Sequence, residues 1–262
     1  MANSRRRLPA ASVWGGGWPM KSFICLSVLA GLAAGAQAEG GRDLIEESLR
    51  RHAPPAHVYE EQALVMTDHQ GLISVRTARY YAVRDESGSR KLRVIDTPAE
   101  AKGTAIFIVR DAGGASRTGA AATATVFGSN FSVADLDGEQ IRDFHYEREG
   151  DHDIDRVAHH VLRAVPVGEA VVRRMGYHER RIYLRKDNLF VSRIDYRDRD
   201  GREARRQTFR DPRPDESGAW RAGMVLMEDL RNGGRSLLKV ERRVHSADYV
   251  PAAVFAGLRV SR

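Results

Sequence analysis

The chain has 262 residues, with 42 Lys+Arg against 35 Asp+Glu, a formal net charge of +7 and a hydrophobic share of 42%. That length and composition suit one domain with a sizeable core. A single cysteine, Cys25, excludes an internal disulfide framework and a cysteine-rich metal site.

The first informative segment runs from Met20 to Ala38. Lys21 precedes a short apolar stretch that ends in small residues at Ala36 and Ala38, the A-x-A spacing of a signal-peptidase site. It reads as a cleavable secretory signal cut after Ala38, with residues 1–19 as an upstream extension and Met20 as an alternative start. Ser4-Arg5-Arg6-Arg7-Leu8 also resembles a twin-arginine signal, although Pro19 and Lys21 interrupt its apolar region. No lipobox precedes Cys25, so no lipid anchor is expected. The organisation is thus 1–38 as extension and signal, then 39–262 as one periplasmic domain. Loss of Arg5, Arg6, Arg7 and Lys21, four cations, lowers the formal charge from +7 to +3. After Ala38 no apolar run approaches the roughly 20 residues of a membrane span. Export removes nucleic acid from the expected partners, and no cofactor is expected.

Residues 41–52 predict an amphipathic helix, with Leu44, Ile45 and Leu49 on one face and Pro54-Pro55 as its stop. From there the period shifts to two. Strands are predicted at 73–83, 92–95, 104–109, 158–165, 181–184, 189–196, 203–209, 220–227 and 236–244. Turn signals separate them, among them Ser87-Gly88, Asp200-Gly201 and Asn232-Gly233. The part from Tyr177 to Val244 reads as an antiparallel meander. Long helices between strands are missing, which argues against a parallel α/β sheet. The strand Trp220–Met227 is apolar on both faces, which fits cover on both sides. Residues 111–126 are small and polar and predict a mobile loop.

Catalytic signals are weak. Gly114 to Gly119 has phosphate-loop spacing, but Ala120-Ala121 replaces the required Lys-Ser/Thr. Asp151, His152, Asp153 and Asp155, with His145, His159 and His160 nearby, are the one dense group of metal-type ligands. Their spacing matches no standard site, and adjacent His159 and His160 on a strand point to opposite faces. No catalytic or metal residue is assigned, and the protein is expected not to be an enzyme.

A resemblance rests on Gly128, Ser129, Phe131, Ser132, Asp135 and Leu136, which fit a G-S-x-F-[ST]-x-x-D-L pattern. Lys102-Gly103-Thr104 precedes it, and Arg193-Ile194-Asp195-Tyr196, Asp200-Gly201, Trp220 with Met227 to Leu230, and Val254-Phe255 follow, all in the matching order. Over most of residues 42–258 the chain resembles the outer-membrane lipoprotein-sorting family, which includes LolA- and LolB-like carriers and RseB-like sensors. It departs from that pattern at 106–126, where an aromatic strand ending in Leu-Pro is replaced by Ile106 to Val109 and the small-residue stretch.

The resemblance implies a mainly β, α+β fold: a strongly curved antiparallel sheet forming a half-open barrel, covered on its concave side by an N-terminal helix, loops and short helices. It implies a soluble periplasmic carrier of a lipid or acylated lipoprotein, with transient membrane contact and an inner-membrane transporter as partner. The alternative it carries is a sensor or accessory subunit that binds a membrane protein. Tyr81, Val83, Ile106, Ile108, Phe131, Leu136, Met224, Leu226 and Phe255 are the expected lining of the apolar hollow.

Overall fold

The computed structural model describes the backbone over residues 29–258 and side chains from Gly40. Cys25 and the predicted signal up to residue 28 lie outside the described residues, and from Leu29 to Glu39, across the predicted cut site, only backbone is described. Helix α1 spans Leu29–Arg51, so the helix predicted from residue 41 ends where expected and begins earlier. Its core contact is Ile45, 1% exposed.

The strands are β1 (His57–Thr67), β2 (Ile73–Asp85), β3 (Gly88–Thr97), β4 (Ala105–Asp111) and β5 (Ser116–Thr118). After a 25-residue crossing segment, 119–143, come β6 (Phe144–Ile154), β7 (Val157–Pro166) and β8 (Glu179–Arg185). The series ends with β9 (Val191–Arg197), β10 (Glu203–Pro214), β11 (Trp220–Asp229) and β12 (Arg235–Val244). Short helices α2 (Val133–Asp137) and α3 (Glu169–Met175) lie in the crossing segment and between β7 and β8.

All twelve strands form one sheet in the order β5-β4-β3-β2-β1-β12-β11-β10-β9-β8-β7-β6. Two meanders are joined where β1 pairs antiparallel with β12. The sheet is not closed, because β5 and β6 are its two edges. They are also consecutive in sequence, so the chain between them must cross the open mouth. This is the curved, half-open sheet that the sequence implied. The turns Asp200-Gly201 and Asn232-Gly233 form as predicted, with φ of 74° and 78° at the two glycines.

Strand β1 alternates strictly, burying Val58, Glu60, Gln62, Leu64 and Met66 on the concave side. Leu64 and Met66 join Ile45, Phe131, Leu162, Ile182, Leu184 and Met227 in the main core. A second cluster covers the convex side. Cross-strand pairing aligns Tyr59, Tyr81, Leu92 and Phe107 in one row. The 3-10 turns at Ala247–Tyr249 and Ala252–Phe255 fold back near it, with Val250 and Phe255 packed into the cluster.

Two expectations need correction. Residues 111–126, predicted as a loop, contain a capped turn and a short strand. Asp111 caps a tight turn by accepting the Ala115 N–H at 2.8 Å, and β5 then pairs with β4. Strands β1 and β6 were not predicted. Their inward faces carry Glu60, Gln62 and Arg148, which breaks the apolar alternation that reveals a strand.

Candidate functional site

The site is built between the concave face, α1 and the crossing segment. A cavity of about 420 Å³ lies there, within the range of roughly 300–1,000 Å³ typical of small-molecule pockets. Phe131, Phe190, Phe209, Val225 and Leu238 supply apolar wall, while Glu60, Gln62, Tyr80, Arg93 and Arg180 place polar groups among them. A second cavity, about 350 Å³, shares Ala134, Gly138, Gln140 and Met175 with the first. The crossing segment is therefore a common wall of both.

That segment is shaped by its motif. Ser132 caps α2, with its hydroxyl accepting the Asp135 N–H at 3.2 Å, while Asp135 accepts the Ser132 N–H at 2.7 Å. Ser129 Oγ accepts the Phe131 N–H at 3.2 Å, and the Asn130 N–H donates to Ser236 of β12 at 3.0 Å. Phe131, 1% exposed, is thereby driven into the core.

Ion pairs tie the segment to both arms of the sheet. Arg205 of β10 reaches Asp135 at 2.8 Å, and Arg180 of β8 bonds both oxygens of Glu139 at 2.6 and 3.0 Å. From the other arm, Arg110 of β4 lies 3.1 Å from the Asp137 carboxylate, and Lys91 of β3 lies 3.7 Å from it. Burial pushes the Lys91 ammonium down to about 8 despite Asp137. Burial also opposes the charge on Arg180, but Glu139 more than offsets it, and Arg180 holds its proton well above the ordinary value.

The expected lining residues divide three ways. Phe131 and Leu136 line the main cavity. Ile106 and Ile108 face the concave core, with Ile108 on the second cavity. Tyr81, Val83 and Phe255 belong to the convex cluster instead. Met224 and Leu226 also point outward, because Val225 and Met227 of the same strand take the inward positions. Both faces of β11 are apolar, so the pattern alone held no phase. Glu60, Gln62, Tyr80, Arg93, Glu139 and Arg180 were missed. For all but Glu139, which lies in the crossing segment, the available signal was polar side chains at the inward phase of otherwise apolar strands.

The His/Asp cluster sits in the β6–β7 hairpin. Asp151 accepts from Lys186 at 2.6 Å, Arg148 at 2.7 Å and the His160 ring at 3.3 Å. These donors, Lys186 foremost, hold its carboxyl far below the usual range. His159 is turned away and buried between the Val157 carbonyl and the Ser192 hydroxyl, each at 2.7 Å. Among the described residues no three His, Cys, Asp or Glu side chains converge as metal ligands. No helix among them is long and apolar enough to cross a membrane.

A protein-family model described as "Uncharacterized protein" matches residues 87–257, more than half of the chain. The chain belongs to that family. No curated protein matches it. Among solved structures, it is similar to a domain assigned to the outer membrane lipoprotein-sorting proteins from Vibrio parahaemolyticus. The TM-score is 0.71 at 19% identity, covering 81% of this chain and 97% of that one. A DUF1329 family protein from Desulfovibrio piger gives 0.71 at 19% identity, with 83% and 98% covered. A LolA superfamily protein from Nitrosomonas europaea gives 0.61 at 14% identity, with 82% and 97% covered. The fold is thus LolA-like, as the motif residues implied.

Proposed function

We propose that this LolA-like protein is a periplasmic carrier that holds the apolar chain of a lipid or acylated lipoprotein and passes it between envelope partners without covalent chemistry. The observation that carries the reading is the cavity of about 420 Å³ walled by Phe131, Val225 and Leu238 beneath a segment tied down at its rims. Each methylene buried there contributes about 0.8 kcal/mol, enough to hold a chain while it crosses water. The two cavities share lining residues of the crossing segment, Ala134, Gly138 and Gln140, so loading and release are proposed to involve that segment. The partners are then membrane-associated, an inner-membrane transporter among them.

Native mass spectrometry of residues 39–262, purified from a bacterial periplasm, tests this. A bound lipid released on unfolding supports the carrier. An empty protein that also refuses added lipids overturns it and favours a protein-binding, sensor-type role.

A further inference from the structure

Strand β3 places Arg93 on the concave face, opposite Tyr80 of β2. Arg93 is only 9% exposed, yet it lines the main cavity. A guanidinium carries five N–H donors. Among the described residues only one is used: Nε donates to the neutral Gln62 amide oxygen at 3.2 Å.

No carboxylate bonds directly to this charge, although Glu60 attracts it through space. The hydrogen bonds of Glu60, on the same face, are committed elsewhere. Arg243 donates to it at 2.6 Å and the Gln62 amide at 2.5 Å. Asp137 is shared by Lys91 and Arg110. The Arg93 guanidinium stacks 4.3 Å from the Tyr80 ring centre. Tyr80 also lines the cavity, and its hydroxyl has no hydrogen-bond partner among the described residues. A buried cation without a directly bonded counter-ion is costly, and its planar fork matches an oxyanion. Burial accordingly draws the Arg93 proton affinity down and holds the Tyr80 hydroxyl protonated, pushed up to about 12.

We infer that the cavity takes an amphiphile with an oxyanion headgroup, a carboxylate or phosphate, whose head is held by Arg93 and the Tyr80 hydroxyl while its chain lies against Phe131, Val225 and Leu238. This rests on the carrier reading and narrows it. A lipoprotein anchor ends its acyl chains in uncharged amide and ester groups, so it lacks the anion that Arg93 requires.

The test is displacement of an apolar fluorescent probe from residues 39–262 by hexadecanoate, hexadecyl phosphate and hexadecanol. One or both anions should bind roughly tenfold or more tightly than the alcohol, as hydrogen bonds to a charged group imply. Which anion leads distinguishes a fatty-acid head from a phospholipid-type head. Arg93→Met should bring the anion down to the alcohol, and Arg93→Lys should restore part of the preference. Tyr80→Phe should weaken the anion and leave the alcohol unchanged. Equal affinity of anion and alcohol in the unaltered protein overturns the inference but leaves the carrier standing. A preference that survives in folded Arg93→Met also overturns it. Failure of all three compounds to displace the probe, or of the probe to bind, overturns the carrier itself. If Arg93→Met does not fold, the unaltered protein and Tyr80→Phe decide.

Discussion

Arg180 and Glu139 meet fork to fork, at 2.6 and 3.0 Å, with their side chains 7% and 10% exposed. The Arg180 guanidinium also lies 4.1 Å from the centre of the Phe144 ring. One residue belongs to the sheet and the other to the segment that crosses its mouth, so this contact is one of the ties that hold the segment over the cavity.

Removing one member of such a pair leaves a buried charge unanswered. Glu139→Gln should therefore cost about 3–5 kcal/mol in urea unfolding. Trypsin should also cut faster at Arg142, which lies in the same segment. Replacing both partners, Arg180→Met with Glu139→Leu, should recover much of the loss, because neither charge then remains buried.

Neighbours on β11 should behave in opposite ways. Val225 faces the cavity, whereas Met224 pairs with Lys239 on the outer face. Val225→Asp should abolish uptake of an apolar probe, and Met224→Asp should leave it within about twofold, a difference below roughly 0.5 kcal/mol. Loss of uptake in a folded Met224→Asp protein would contradict the placement of these two faces.

Helix α1 presses on the edge strand β6 through Gly41. A methyl group there would sit 2.9 Å from backbone atoms of Glu147 and Arg148. Alanine gains about 1 kcal/mol in helix propensity, but the rigid strand behind it cannot yield as a flexible side chain would. Gly41→Ala should therefore lower stability by about 1–3 kcal/mol, as overpacking does, and a rise in Tm would refute this. The same contact shields an edge that would otherwise be open to pairing with another chain.

His52 and His159 should make stability depend on pH. Burial lowers both imidazoles from 6.5, against opposing backbone carbonyls at Asn188 and Val157. At His52 the Trp220 N–H donates to Nδ1 at 3.1 Å and Nε2 donates to the Asn188 carbonyl at 3.0 Å, which selects the neutral ring. The unfolded chain then binds more protons than the folded one. Stability is complete above pH 6.5 and falls as the pH drops through the lowered folded values. Urea titrations between pH 7 and 5 should show this slope, and His52→Gln should make it shallower. A slope unchanged in that variant would remove His52 as a cause.

Much of the architecture was open to reading because its signals are local. Nine strands showed as alternation or short apolar runs, and Asn232-Gly233 and Asp200-Gly201 marked hairpins by tolerating positive φ. The Ser132–Asp135 capping box explains why Phe131 and Leu136, picked from the motif, both reach the cavity. Tyr81, Val83 and Phe255 went astray because the convex side carries an apolar cluster of its own. A period of two assigns residues to two faces but does not say which face is concave.

By itself the sequence determined the helix end before Pro54, the antiparallel meander and the motif that turns Phe131 inward, since each depends on neighbours a few residues apart. Only the tertiary structure decided that β1 pairs with β12, that Val225 rather than Met224 meets the cavity, and that Arg93 stands there without a bonded carboxylate. Those facts depend on contacts between residues far apart in the chain, such as Arg243 claiming Glu60 at 2.6 Å, and no local pattern encodes which distant partner a charge will find.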